Sequence, residues 1–103
     1  MPQEMVWVDR SGEIVGRVGA VQNAIFFPEI SPNGKWIAVS ARDGEVNDRD
    51  IWIHSTTDGT KKPLATVKGN DNFPIWSPNS EEVIFTSSRS GNYDMYRHLL
   101  LVR

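Results

Sequence analysis

Cysteine is absent from this 103-residue chain, which excludes a disulfide framework, thiolate nucleophiles and thiolate metal sites. An excess of either charge is absent too. Eleven Lys and Arg stand against thirteen Asp and Glu, a formal net charge of -2 with the signs interspersed. Long-range attraction to nucleic acid or to an anionic membrane surface is therefore not expected. No apolar run approaches the length of a membrane span, and Met1-Pro2-Gln3-Glu4-Met5 has neither the basic nor the apolar region of a leader. Taken from Met1, the chain is expected to be soluble and unexported, hence cytoplasmic unless it is a piece of an exported protein. Amphipathic helices are not legible either, because Pro and Gly break every longer window and apolar residues recur with period two or in short uniform runs. Gly-x-Ser-x-Gly, His-Glu-x-x-His and phosphate-loop motifs are all missing, so the expectation is a protein that is not an enzyme and uses no cofactor or metal.

What the sequence does have is aromatic residues, with four Trp, four Phe and two Tyr, and a repeat. Residues 27–54 and 73–98 follow one plan. Each opens with Phe-Pro-x-x-Ser-Pro-Asn, runs into an apolar strand, crosses a polar loop and meets Asp followed by an apolar-aromatic pair: Asp50-Ile51-Trp52 and Asp94-Met95-Tyr96. Phe27 and Phe73 are 46 residues apart, and Trp52 and Tyr96 are 44 apart. A period in the forties with several short strands per unit points to propeller blades, each a four-stranded antiparallel sheet, rather than to a closed small domain.

Taken in order, residues 5–8 (MVWV) and 13–18 (EIVGRV) form a hairpin around Asp9-Arg10-Ser11-Gly12. Val6-Trp7-Val8 aligns with Ile51-Trp52-Ile53, so the hairpin corresponds to the last two strands of a split blade over residues 1–22, with 19–23 as a connector. The complete blade spans 23–68. Its strands are expected at 26–31, 35–41, 50–54 and 63–67, with Asn33-Gly34 supplying a tight turn. Along 35–41 (KWIAVSA), Trp36 and Ala38 face one way while Ile37 and Val39 face the other. A strand apolar on both sides must be covered on both sides. Residues 69–103 hold the first strands of a further, incomplete blade, at 73–77, 83–87 and 94–102.

Phe-Pro-Ile-Trp-Ser-Pro-Asn at 73–79, Val-Ile-Phe-Thr-Ser-Ser-Arg-Ser-Gly at 83–91 and Tyr-Asp-Met-Tyr at 93–96 resemble the TolB-like, or WD-like, beta-propeller repeat. The middle unit shares Pro28, Ser31-Pro32-Asn33-Gly34, Ile37 to Ser40 and Asp50-Ile51-Trp52. Departures are Asn33 and Asn79 for the usual Asp, Ser80 for Gly, and Ile30 where the other copy has Trp76. The resemblance implies a bacterial-type propeller that binds or gates while chemistry sits elsewhere. Such repeats serve in translocation proteins, in receptor kinases as sensor domains, and in hydrolases of the prolyl oligopeptidase type as accessory domains.

About two blades per chain do not close a ring. A bare end blade exposes an apolar face on the order of 400 Å², roughly 10 kcal/mol at ~25 cal/mol/Å². That equals the net stability of an ordinary domain, about 5–15 kcal/mol. The chain is therefore expected to bind itself in a cyclic homo-oligomer, a trimer giving six blades ahead of rings of two or four chains, or else to be a fragment of a larger propeller. A protein or small ligand is the further partner expected of either form.

Candidate residues divide the same way. Trp7, Phe27, Trp36, Trp52, Phe73, Trp76, Phe85 and Tyr96 are expected to pack blade against blade. The acidic loop 43–50 offers oxygen ligands for calcium, but Arg49 sits inside it and the equivalent loop, 88–93, has no carboxylate; a solvated turn is the better reading. His54 and His98 occupy equivalent positions and are expected to be structural. Arg89 with Asp94, and Arg42 with Asp50, are expected to pair across their loops.

Overall fold

The computed structural model describes residues 2–42, 48–64 and 68–100. All regular structure among them is strand. One antiparallel sheet has the order β1-β2-β3-β4-β5 and a second the order β6-β7-β8. The elements are β1 (Pro2–Val8), β2 (Ile14–Ile30), β3 (Trp36–Arg42), β4 (Asp50–Ser55), β5 (Lys61–Pro63), β6 (Asp71–Trp76), β7 (Glu82–Ser87) and β8 (Asp94–Leu99).

Local sequence explains most of these bounds. Asp9 ends β1 because its carboxylate accepts from the backbone N–H groups of Ser11 and Glu13, which closes the hairpin. The Ser-Pro-Asn turns are built alike in both repeats. Ser31 Oγ lies 2.7 Å from Asn33 Oδ1 and accepts from the Trp36 N–H, and Ser77 does the same with Asn79 and the Glu82 N–H. These side chains replace the ladder partners that Pro32 and Pro78 cannot supply.

The greatest departure from the sequence reading is β2. Residues 19–23, expected as a connector between two units, belong to one 17-residue strand, so the boundary drawn at 22/23 falls inside an element. The strand is nevertheless broken in direction. Its pairing with β3 slips twice, between Asn23 and Phe26 and between Phe26 and Glu29, and Ala24 and Phe27 have φ of 49° and 55°. Bulges of this kind bend a strand and sharpen its twist. The front half of β2 pairs with β1, the rear half pairs with β3, and the hairpin folds over the sheet it is bonded to. Val18, with half-buried Met5 and Ile25, thereby covers Ile37, Val39 and Ala41. Of the strand expected at 63–67, only Pro63 lies in β5, and residues 65–67 fall outside the described set, as do 43–47 and 101–103.

Both faces of β3 are buried, as its alternation requires. Ile37 and Val39, with Trp52 of β4, make the front of the first sheet; Ala38, with Ile51 and Ile53 of β4, makes the rear. In the second sheet the residues equivalent to the front set are Val83, Phe85 and Tyr96, and these pack on the rear of the first sheet. The contact is front to rear, so the two units meet through non-equivalent surfaces of the repeat. Such heterologous stacking brings no closure between two units.

Candidate functional site

The eight aromatic residues singled out by the repeat lie in three environments. Phe85 is fully buried and stacks on half-buried Tyr96 with ring centroids 6.2 Å apart. Trp36 and Trp76 border the same core from the two sheets, and the Trp76 indole N–H donates to the Glu29 carbonyl at 2.8 Å, tying β6 to β2. Trp52 borders the front core, opposite Val39. Trp7, Phe27 and Phe73 stay substantially exposed; the last two rings meet along the inner strands with centroids 4.4 Å apart and planes tilted by 40°. Trp52 and Tyr96 hold equivalent registers, opposite Val39 and Phe85, whereas Trp7 faces Gly16 in the hairpin.

The two histidines diverge. His54 is fully buried, its Nδ1 accepts the Ala20 N–H at 3.0 Å, and its Nε2 lies 2.9 Å from Gln22 Oε1. Because Nδ1 is an acceptor, Nε2 carries the proton and donates to Gln22. Burial, with the Lys61 charge adding, lowers its pKa to about 4. His98 is exposed, with Nδ1 beside its neighbour's carbonyl at Leu99. Equivalent positions in the repeat thus have different surroundings, because β2 folds over the first sheet only.

Pairing across the loops is also not what the spacing suggests. Arg89 reaches Asp71 rather than Asp94, with Nη2 3.8 Å from Oδ2. Asp94 instead accepts from the Ser90 hydroxyl at 2.7 Å. The Arg89 guanidinium sits 4.4 Å over the Tyr96 ring and 5.5 Å over Phe85. No ion pair joins Arg42 to Asp50 among the described residues. Asp71 is fully buried and its pKa is raised by that burial, with Ser87 and Arg89 pulling the other way. Asp50 is raised to about 6, again by burial first, with Asp71 and Asp48 adding and Arg89 opposing. Sequence reasoning missed Asp71 because it precedes the repeat motif, where only its place before Phe73-Pro74 marks it. Of the acidic loop, 43–47 lie outside the described residues, and among those described no group of three or more His, Cys, Asp or Glu is placed to hold a metal.

Two apolar surfaces stand out as exposed among the described residues. The first is an apolar cleft of about 300 Å³ between the hairpin and the inner strand, lined by Met5, Val6, Trp7, Val18, Pro28, Ile30 and Ile37. The second is the rear of the second sheet, the surface equivalent to the one that buries Ala38 and Ile53 in the first. There Ile75 and Met95 are 52% and 75% exposed, with Ile84 between their strands and an Arg97–Glu82 pair at 4.0 Å on the flank. This rear face is more mixed than the repeat alone suggests.

No protein-family model matches the chain. Over 89 residues, 72% of its length, the chain is 30% identical to a probable dipeptidyl-peptidase 5 of Aspergillus clavatus, of which it spans 12%. Over 90 residues, 87% of its length, it is 26% identical to the Tol-Pal system protein TolB of Alcanivorax borkumensis, of which it spans 20%. The chain therefore covers about an eighth and a fifth of these two relatives, and it is similar to a segment of each.

Proposed function

We propose that the chain is a stack of TolB-like propeller blades, a non-catalytic module that binds a protein or a small ligand and whose open flanks are closed by further blades. The observation that carries this reading is the front-to-rear contact of the two sheets, Val83, Phe85 and Tyr96 against Ala38, Ile51 and Ile53. A heterologous contact, the front of one unit on the rear of the next, repeats until it closes into a ring or runs on as an open stack, and in an antiparallel all-β chain with a blade-length period the closed form is a propeller. Similarity to TolB and to a dipeptidyl peptidase, both propeller-containing proteins, supports the same reading. The commitment of both His54 nitrogens to Ala20 and Gln22 supports a structural rather than a catalytic part for that residue.

For the chain by itself, the further blades are other copies, in a cyclic homo-oligomer of three chains and six blades. The small share of each relative that the chain spans favours a second source, further blades of a longer polypeptide, with this segment part of an accessory or sensor domain beside a hydrolase or kinase. In both forms the rear of the second sheet is occupied. Sedimentation velocity of the chain and of Met95→Asp tests this: the parent is expected to sediment as an assembly and the variant as a smaller species. Identical sedimentation of the two as monomers would overturn it.

A further inference from the structure

A second hollow, of about 290 Å³, lies away from the stacking surfaces and is lined by Phe26, Arg42, Arg49 and Asn70. It sits where β3 ends and β4 begins, beside the inner strand β2. Its chemistry is one-sided. Arg42 and Arg49, both half-buried residues, bring two guanidinium groups, and among the described residues neither has a carboxylate within 4.0 Å. The Arg49 guanidinium lies 5.2 Å over the Phe26 ring, a cation–π contact that favours its place beside the hollow. The Asn70 side-chain carbonyl is already used, accepting the Arg49 backbone N–H at 3.0 Å, so the amide group left to the hollow is the donor NH₂. The Asn70 backbone is fixed in turn, its N–H donating to Ser88 Oγ at 2.9 Å and its carbonyl accepting the Ser88 N–H.

Two guanidinium groups and one amide, all donors and held from three segments, make a receptor for an oxyanion. Asp48 and Asp50 stand on the same loop as Arg49. Asp48 is turned to the Gly69 N–H, at 3.1 Å, and Asp50 belongs to the buried group around Asp71 and Arg89. The arginines therefore face an opening that no described carboxylate fills. The equivalent positions of the second repeat lack the pair, so this feature is not imposed by the blade plan.

We propose that Arg42, Arg49 and Asn70 bind a small oxyanion, the carboxylate of a chain terminus or a phosphate group, as the ligand-recognition site of the module. This deepens the reading of the chain as a binding protein and rests on it. The hollow admits a headgroup or a single terminal residue rather than a folded partner.

The test is a ¹⁵N NMR titration of the full chain, following the Arg42 and Arg49 Nε–H signals. The probes are inorganic phosphate, an acetylated dipeptide acid and the same dipeptide as its amide, all at fixed ionic strength. Saturable shifts with phosphate or with the acid, and none with the amide, are expected; which of the two anions binds tells the sources apart. Arg42→Gln and Arg49→Gln should each weaken binding at least tenfold, while Arg17→Gln, at the exposed Glu4 pair, should not. Unchanged amide dispersion checks that each variant is folded. No saturable shift with either anion, or undiminished binding in both hollow variants, would overturn the proposal. Assembly mass is measured without any anion, so failure of the ring and failure of this site are separate results.

Discussion

The rings of Phe27 and Phe73 pack 4.4 Å apart at a 40° tilt, and both residues have the left-handed backbone, φ 55° and 56°, that bulky residues rarely adopt. Each sits in a bulge where its strand carries an extra residue against its partner, between Phe26 and Glu29 and between Asn72 and Ile75. The same strain in both repeats marks a device for turning the inner strands, since an accidental distortion would not recur 46 residues away. It produces an inversion that can be measured. A left-handed residue with a Cβ costs about 1–2 kcal/mol, so Phe73→Gly should be more stable than Phe73→Ala, the reverse of the usual order in a strand. A double-mutant cycle between the rings should give about 0.5–1.5 kcal/mol of coupling by urea denaturation.

Gly19 and Gly34 separate two causes of glycine dependence. Both have positive φ, 72° and 74°, but a Cβ on Gly19 would lie 2.5 Å from His54 Nδ1, while one on Gly34 would meet nothing within 4 Å. Gly34→Ala should cost about 1 kcal/mol, from the backbone alone. Gly19→Ala should cost about 2–4 kcal/mol, because it also displaces the His54 ring and the hairpin resting on it. Equal losses of urea midpoint in the two variants would remove the hairpin's close approach as the cause.

Acid should act on two opposed groups. His54 is held neutral down to about pH 4 in the fold against an ordinary 6.5. Its contribution is complete above pH 6.5 and is lost as pH falls toward 4, about 3 kcal/mol in all. Asp50 has the opposite sign. With its pKa raised from 3.8 to about 6, the fold keeps a proton there that the unfolded chain gives up, so its effect grows more favourable as pH falls through that window. Asp71, also raised, adds to the Asp50 side. Between pH 6 and 4.5 the two carboxyls therefore oppose the His54 loss, so on acidification Asp50→Asn should lose stability relative to the parent and His54→Gln should gain relative to it. Urea midpoints at several pH values distinguish these slopes; parallel profiles for all three proteins would contradict the assignment.

Removing the Arg89 side chain leaves Asp71 buried without its cation. Arg89→Met should cost about 3 kcal/mol, and Asp71→Asn added to it should restore most of the loss. A double variant no better than Arg89→Met would assign the cost to lost packing on Tyr96 and Phe85 instead.

How much of this was legible follows from where the repeat speaks. The two-sided apolar pattern of 36–41 locates β3 and sets Ile37 and Ala38 on opposite faces, which the fold puts in different cores, and the matched Asp-apolar-aromatic segments locate β4 and β8. The continuity of β2 was hidden because Gly19, Asn23 and Pro28 read as punctuation, whereas here they lie in a bent strand whose bulges accommodate them. The Arg89–Asp71 contact was hidden because its partners belong to different parts of the motif, and sequence spacing rewards neighbours across a loop. The hollow at Arg42 and Arg49 is hidden in the sequence for a different reason. Each arginine has an acid in its own loop, and only the fold sets the pair beside Phe26 and Asn70.

The account depends on the rear of the second sheet being covered by another sheet. Light scattering coupled to size exclusion, on the chain at micromolar concentration, tests this most directly. The account gives an assembly of three chain masses, with Met95→Asp shifting material toward one; a cooperative, well-folded species of a single 11.6 kDa chain would contradict it.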